Sequence, residues 1–267
     1  MKNLLFFFLA FLLTGTVSHA QEPQSGVNDP NKHPALIELF REWRDFEKPP
    51  IREGAPDYTA ETFDRRQPEF RALQNKLLAI DTVGWSIADK VDWMIVWAEM
   101  NGYDFNRRVL KPWVRDPAFY DTVWMNRSDV PAHEGPTNHA VVEVWTYEFP
   151  LSEAEEARLT EELGVIPPLM AQAQRNLTGN ARDLWVAGIR NIRTQADLIA
   201  SIREQAGTGA SNDLKAALDE AESATKQLIA WLETQAPSKT GPSGVGRELY
   251  SWYQMQVHYL PMNYDAE

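Results

Sequence analysis

Apolar residues recur along most of this chain with the three- and four-residue spacing of an α-helix. The clearest case covers residues 180–235, where two apolar stripes are separated by the segment GTGASN. The stripe positions are Trp185, Ile189, Ile192, Ala196 and Ile199, then Leu214, Leu218, Ala221, Thr225, Leu228 and Leu232. Because a six-residue connection suits antiparallel neighbours, the pattern predicts a long helical hairpin over about residues 180–235.

Shorter helices are predicted before the hairpin. The first places Leu36, Ile37, Phe40 and Trp43 on one face and ends at the proline pair of residues 49–50. A second covers about residues 59–80, where Pro68 is expected to break or kink it.

A third predicted helix begins at Ser86, which forms a capping pattern with Asp89. Its apolar residues surround nearly the whole circumference, and they are Val91, Met94, Ile95, Trp97, Ala98 and Met100. A helix that is apolar all round is typical of the interior of a fold, so we expect this one to be buried.

The remaining elements complete an all-α prediction. Ser152 and Glu155 form a second capping pattern, the proline pair of residues 167–168 starts another helix, and residues 247–260 predict a last one. About residues 140–149 are rich in valine and aromatic residues, which favours extended chain packed on helices or part of a small hairpin. We therefore expect an elongated multi-helix array.

The N-terminus has the features of a secretory signal peptide. A lysine at position 2 precedes the apolar run Leu4–Leu13, and small residues at Ser18 and Ala20 suit cleavage after Ala20. Ten apolar residues are too few to span a bilayer. We expect residues 1–20 to be removed, 21–34 to be a flexible lead-in and 35–267 to be one helical domain. The mature chain is then periplasmic or secreted and not held in a membrane.

Composition narrows the chemistry. An apolar content of 43% with ten tryptophans indicates a packed globular protein. The formal charge of −12 repels phosphate backbones and anionic lipid, so nucleic acid is not an expected partner. The absence of cysteine excludes disulfides and thiolate ligands, which leaves histidine, aspartate and glutamate as metal ligands.

The segment PAHEGPTNHA contains the letters of a zinc site, with Glu134 directly after His133 and a second histidine at His139. Zinc hydrolases of this type place two histidines four residues apart on a helix. Here the spacing is six, Gly135 and Pro136 oppose a helix, and no third ligand is indicated nearby. We assign these residues no metal and expect a polar loop that lines a cleft or lies on the surface.

Asp92 and Glu99 form a second candidate site. They are seven residues apart, so they project from nearly one face of the third predicted helix. Carboxylates on an apolar helix need a cation, a hydrogen-bond donor or water. They either line a substrate cleft or pair with an arginine, for which the nearby candidates are Arg107, Arg108 and Arg115.

Three long strings, Val91–Tyr120, Ile166–Arg190 and Val245–Glu267, resemble the bacterial family called domain of unknown function 885. The resemblance covers about residues 34–267. It implies a largely helical, often exported protein similar to zinc metallopeptidases. The family's metal motif, His-Glu followed by Pro-Gly-His, belongs to its C-terminal half, whereas this chain resembles the N-terminal half. The resemblance therefore implies zinc for the full-length family and places no catalytic residue or cofactor in this chain.

Two hypotheses follow. The first is the N-terminal helical half of an exported zinc-metallopeptidase-like hydrolase, inactive alone, which binds a peptide or small-molecule substrate together with the missing half. It predicts exposed apolar surface on the last helix, where that half would dock. The second is a self-sufficient periplasmic helical protein that acts as a binding module or scaffold without catalysis.

Overall fold

The computed structural model describes residues His33–Asn126 and Val141–Pro261, and the chain there is predominantly helical. The prediction of an all-α fold is confirmed. The α-helices of these two ranges are α1 (Pro34–Glu47), α2 (Ala60–Leu78), α3 (Ile87–Phe105), α4 (Pro112–Arg115), α5 (Glu153–Gly164), α6 (Ile166–Asn176), α7 (Arg182–Ala206), α8 (Asn212–Gln235) and α9 (Arg247–Gln256). A π-helix covers Asn106–Leu110, and 3-10 helices cover Pro117–Tyr120, Val144–Thr146 and Ala236–Ser238.

The predicted hairpin is present as α7 and α8, and every residue of its two apolar stripes is buried. Ion pairs run antiparallel across it, from Arg193 to Glu233 and from Arg203 to Glu222. Helix α7 ends before Gly207, whose φ is +70°, and helix α8 begins after Ser211, whose side chain caps its first turn. Helices α5 and α6 pack against α8 and complete the larger of the two cores.

A second, smaller core joins α1, α2 and α3 around aromatic rings. On α1 the buried face differs from the predicted one, because Leu39 and Phe46 are buried with Leu36 and Trp43, whereas Ile37 and Phe40 lie at the edge.

Helix α2 continues through Pro68. Of the break or kink predicted at this proline, the structure excludes the break. Its capping residue Thr59 accepts a hydrogen bond from the amide of Thr62, and the helix begins at Ala60.

The prediction that the third helix is buried along its length is wrong. Ser86 and Asp89 do form the predicted capping box, and residues 98–105 are buried. In the first half of α3, however, Val91 is 44% exposed and Ile95 is 47% exposed. A helix with apolar residues all round is usually buried on every side. In this structure the described residues pack against only part of the surface of α3.

The valine-rich segment is extended over only two residues. Strand Val142–Glu143 pairs with strand Val123–Trp124 in parallel, which contradicts the hairpin alternative, and a 3-10 helix follows at once. Val142 and Val144 pack into the larger core, in agreement with chain packed on helices. The other described strands, Ile51–Arg52 and Ala55–Pro56, form an antiparallel pair between α1 and α2.

The last helix ends at Gln256, four residues earlier than predicted. No helix in the described ranges combines the length and apolar character that a membrane span requires. The expected signal peptide and most of the lead-in lie outside the described residues.

Candidate functional site

An apolar groove lies between the first half of α3 and the end of α9. Its volume is about 380 Å³, and its lining residues are Val91, Met94, Ile95, Ala98, Val257, His258 and Tyr259. We call this the α3–α9 groove. Other large apolar side chains on α9 and directly after it are also about two-fifths exposed, namely Leu249, Tyr250, Met255 and Leu260. This is the exposed apolar surface that the first hypothesis predicts for the last helix.

Helix α9 is held against the second half of α3 by stacked rings. Phe105 stacks on Trp252 with ring centroids 5.6 Å apart, and it contacts Tyr253 at 4.8 Å. The side-chain amide of Asn101 donates a hydrogen bond to the carbonyl of Gln256 over 3.1 Å. These contacts hold the end of α9 beside α3, so the groove between them has fixed walls.

Tyr259 lines the α3–α9 groove and has an unusual backbone conformation. Its φ of +53° is rare for a bulky residue, and such backbone strain concentrates at binding and catalytic sites. Its hydroxyl donates a hydrogen bond to the carbonyl of Met94 over 3.1 Å. Burial raises the pKa of Tyr259 above its usual range, which further favours the protonated hydroxyl that donates this bond.

The chemistry of the α3–α9 groove favours binding over catalysis. The described residues that line it include His258 and Tyr259 but no carboxylate, serine or lysine. A hydrolytic site needs a nucleophile or metal with a general base within hydrogen-bond reach. The groove instead offers apolar walls for aliphatic or aromatic side chains.

The two predicted carboxylates of α3 differ in exposure. Asp92 is exposed, whereas Glu99 is buried, so the two side chains lie in different environments. Glu99 accepts hydrogen bonds from the indole of Trp43 at 3.1 Å and from Arg44 at 2.8 Å. Glu99 therefore pairs with an arginine, as one of the two predicted alternatives states. The partner, however, is Arg44 of α1 and none of the three arginines named from the sequence.

His133, Glu134 and His139 lie outside the described residues. Within the described ranges, no three His, Asp or Glu side chains come close enough together to hold a metal ion.

A cluster that the sequence analysis did not identify surrounds Asp104, near the end of α3. Arg71, Arg107 and Arg108 all direct their guanidinium groups at this one buried carboxylate. We call these four residues the Asp104 arginine cluster. The spacing of three and four residues from Asp104 to the two arginines after it was a visible signal, since residues so spaced are neighbours on a helix. Arg71 comes from α2 and could not be assigned without the fold.

Comparisons with known proteins give a likeness in fold. No protein-family model matches the chain, and no curated protein matches it. A solved structure, that of a candidate lipoprotein of unknown function from Shewanella oneidensis, is similar with a TM-score of 0.57 and 16% sequence identity. The likeness covers 87% of this chain and 43% of that one, so this chain spans less than half of the length of its structural neighbour. At this identity the likeness concerns the fold alone.

Proposed function

We propose that this chain is the helical half of an exported hydrolase similar to the zinc metallopeptidases, and that a second half packs on the α3–α9 groove. The exposed apolar surface of α3 and α9 carries the proposal. Soluble proteins rarely leave several large apolar side chains together in water, and where they do, the patch is commonly an interaction site. Here α3 and the residues directly after α9 line one apolar groove, and α9 carries further exposed apolar side chains.

Two further observations support a longer protein. The structural neighbour is a chain of which the similar region is 43%, so the same helical architecture occurs within a larger molecule. The resemblance of three long strings to the metallopeptidase-like family points in the same direction, because that family carries its metal motif in the other half.

Export is part of the proposal. The apolar run Leu4–Leu13 after a positive start has the composition of a signal peptide. The structural neighbour is a candidate lipoprotein, which agrees with export but concerns that protein.

In this proposal the helical half binds and the other half performs the chemistry. Zinc and a general base would come from the docked half, where the family's motif lies, and the helices described here would form one wall of the substrate cleft. Residues 21–267 alone should then be catalytically silent.

A second candidate, a self-sufficient binding protein, is favoured by one observation. The volume of about 380 Å³ lies within the range of small-molecule pockets, so the α3–α9 groove could hold an apolar ligand instead of a protein segment.

The first experiment tests docking on purified residues 21–267. We expect an environment-sensitive dye to bind the free chain, and Met94→Glu to abolish dye binding with little change in the unfolding midpoint, because Met94 is partly exposed. Val186→Glu, on the exposed face of α7, is the matched control and should leave dye binding intact. A monomeric chain that binds no dye would contradict the docking proposal.

The second experiment separates the two functions. The reading frame after Glu267 is examined for a His-Glu motif, and the protein made from the longer frame is compared with residues 21–267. The hydrolase proposal expects zinc-dependent peptidase activity only in the longer protein. Zinc-dependent activity in residues 21–267 that is lost in His139→Ala would refute it, and dye displacement by small apolar ligands without a longer frame would favour the binding protein.

A further inference from the structure

The Asp104 arginine cluster holds more positive charge than its own carboxylate can satisfy. Oδ2 of Asp104 accepts a hydrogen bond from Nε of Arg108 at 2.6 Å, and Oδ1 accepts one from Arg71 at 3.3 Å. The third guanidinium, that of Arg107, approaches no closer than 3.8 Å, beyond hydrogen-bond distance. Three guanidinium groups therefore surround one buried carboxylate, and only those of Arg71 and Arg108 form hydrogen bonds with it.

Arg107 is the surplus cation. Its side chain is 17% exposed, and its Nε is buried with no hydrogen-bond partner in the part of the chain that the structure describes. Its other ion pair, to Asp64 on α2, is 4.0 Å long, and Asp64 is 79% exposed and hence screened by water. A buried N–H without an acceptor is costly, and the two carboxylates near Arg107 are too distant for hydrogen bonds, so its guanidinium lacks a close partner among the described residues.

The backbone around Arg107 is also unusual. The amide of Lys111 donates to the carbonyl of Asn106 over 2.7 Å, a five-residue step that makes Asn106–Leu110 a π-helix. Lys111 then adopts a left-handed conformation with φ at +44°. π-helical turns and left-handed non-glycine residues are both uncommon and both concentrate at functional sites. The strained turn is the one that carries Arg107 and Arg108.

Two arginines of the cluster are accessible to solvent. Arg71 is 48% exposed and Arg108 is 40% exposed, whereas Arg107 is 17% exposed, so we call Arg71 and Arg108 the accessible rim of the cluster. Arg108 also lies over the ring of Trp252 at 5.7 Å, which places an aromatic wall from α9 beside the rim.

We infer that the Asp104 arginine cluster binds a carboxylate, held by the guanidinium of Arg107 with Arg71 and Arg108 at its rim. A guanidinium matches a carboxylate with two parallel hydrogen bonds, which would satisfy the donors that Asp104 leaves unpaired. The three arginines carry three positive charges, and Asp104 and Asp64 carry two negative charges, so one positive charge is left over. This favours a ligand with a single negative charge. The net charge of −12 on the whole chain also disfavours a more highly charged anion. The site goes beyond the proposed hydrolase and does not depend on it.

The test uses residues 21–267 and the probe N-acetylalanylalanine, with its C-terminal amide as the uncharged control. Binding is followed by tryptophan fluorescence, since Trp252 lies under Arg108, and by titration calorimetry at low ionic strength. We expect the carboxylate to bind at least about tenfold more tightly than the amide, and binding to weaken as salt is added. Equal binding of acid and amide, or no binding of the acid, would overturn the inference.

Variants test the role of Arg107. Arg107→Gln should weaken acid binding by about tenfold or more, and Arg107→Lys should weaken it as well, since lysine keeps the charge but loses the planar fork. Arg182→Gln, which removes an exposed arginine at the start of α7, should bind as the wild type does.

Stability measurements separate a ligand site from a structural ion pair. If Arg107 awaits a ligand, Arg107→Gln should unfold at the same urea concentration as the wild type or a higher one, because it removes a buried N–H without an acceptor and only two long ion pairs. Undiminished acid binding by Arg107→Gln, or a large loss of stability in its ligand-free form, would show that Arg107 serves the fold. Inorganic phosphate binding more tightly than the acid would overturn the preference for a carboxylate.

Discussion

The indole N–H of Trp43 donates a hydrogen bond to Glu99 over 3.1 Å and so connects α1 to α3 across 56 residues of sequence. Trp43 is fully buried, and Glu99 is 7% exposed. The second carboxylate oxygen accepts from Arg44 at 2.8 Å, and Arg44 also pairs with Glu47. A single acidic side chain therefore satisfies one buried indole and one partly buried cation, which explains a carboxylate on an otherwise apolar helix.

Glu99→Ala should destabilise the protein without affecting any catalytic step. It removes the acceptor of both Trp43 and Arg44, and breaking a buried pair of this kind costs about 3 kcal/mol. Urea unfolding followed by tryptophan fluorescence measures the loss. Asp92→Ala is the matched control, because Asp92 is an exposed carboxylate of the same helix and should change the free energy of unfolding by less than about 0.5 kcal/mol. Equal effects of the two variants would contradict a structural role for Glu99.

Gly188→Ala should also be destabilising, for steric reasons. A Cβ at this position of α7 would lie 2.7 Å from Cβ of Pro117 and 2.8 Å from the amide nitrogen of Ala118. A proline ring and a backbone atom cannot move aside easily, so we expect a loss of about 1–3 kcal/mol in the free energy of unfolding. Gly164→Ala is the control, since no atom lies within 4 Å of the added Cβ, and there alanine should gain about 0.5 kcal/mol. Two substitutions of the same kind thus have opposite expected signs.

Local patterns predicted the helices well because local interactions decide them. The capping boxes of Ser86 and Ser152 involve residues three positions away, and both are present. The hairpin stripes succeeded for a related reason, since a regular helix places residues three and four apart on one face, and α7 and α8 bury that face against each other.

The predictions that were wrong or incomplete concerned contacts between elements that are distant in the sequence. An apolar residue such as Ile95 favours burial, but the sequence does not tell which element packs against it. The sequence therefore predicted a buried helix where the described structure leaves a groove. Likewise Glu99 indicated a cation but not that Arg44 of α1 supplies it. Val142 and Val144 favoured extended chain, yet only a two-residue parallel pairing is available to the first of them. The contacts available in the fold therefore outweighed the β-strand propensity of this segment.

Ser243→Ala should weaken the start of α7 from a distance. This helix has no capping side chain of its own at Ala181, and the hydroxyl oxygen of Ser243 accepts hydrogen bonds from the amides of Asp183 and Leu184 at 2.9 and 3.2 Å. Arg115 fixes the same loop by donating to the carbonyl of Ser243. Loss of a capping hydroxyl costs about 1 kcal/mol, and thermal unfolding would detect it.

Amide hydrogen exchange localises that effect. The amides of Asp183 and Leu184 should exchange faster in Ser243→Ala, whereas the core of α8 should not change. Uniformly faster exchange throughout the hairpin would argue against a local cap.

Asp121 gives the protein a pH dependence of stability opposite to that of most carboxylates. Burial raises its pKa from 3.8 to about 6, although a hydrogen bond from the amide of Val123 acts against this. Between about pH 4 and pH 6 the folded chain retains a proton on Asp121 that the unfolded chain has released. The folded state then binds more protons, so this contribution to stability is present at low pH and is lost as pH rises through about 6.

Asp121→Asn should remove this dependence, because asparagine is uncharged and can still accept from Val123. We expect the variant to be more stable than the wild type above about pH 6, with the difference shrinking toward zero near pH 4. Urea unfolding at a series of pH values measures the difference, and Asp45→Asn, at an exposed position of α1, is the control. A difference that grows as pH falls would mean that Asp121 is stabilised as a carboxylate in the folded protein, in which case burial is not the dominant influence on its pKa.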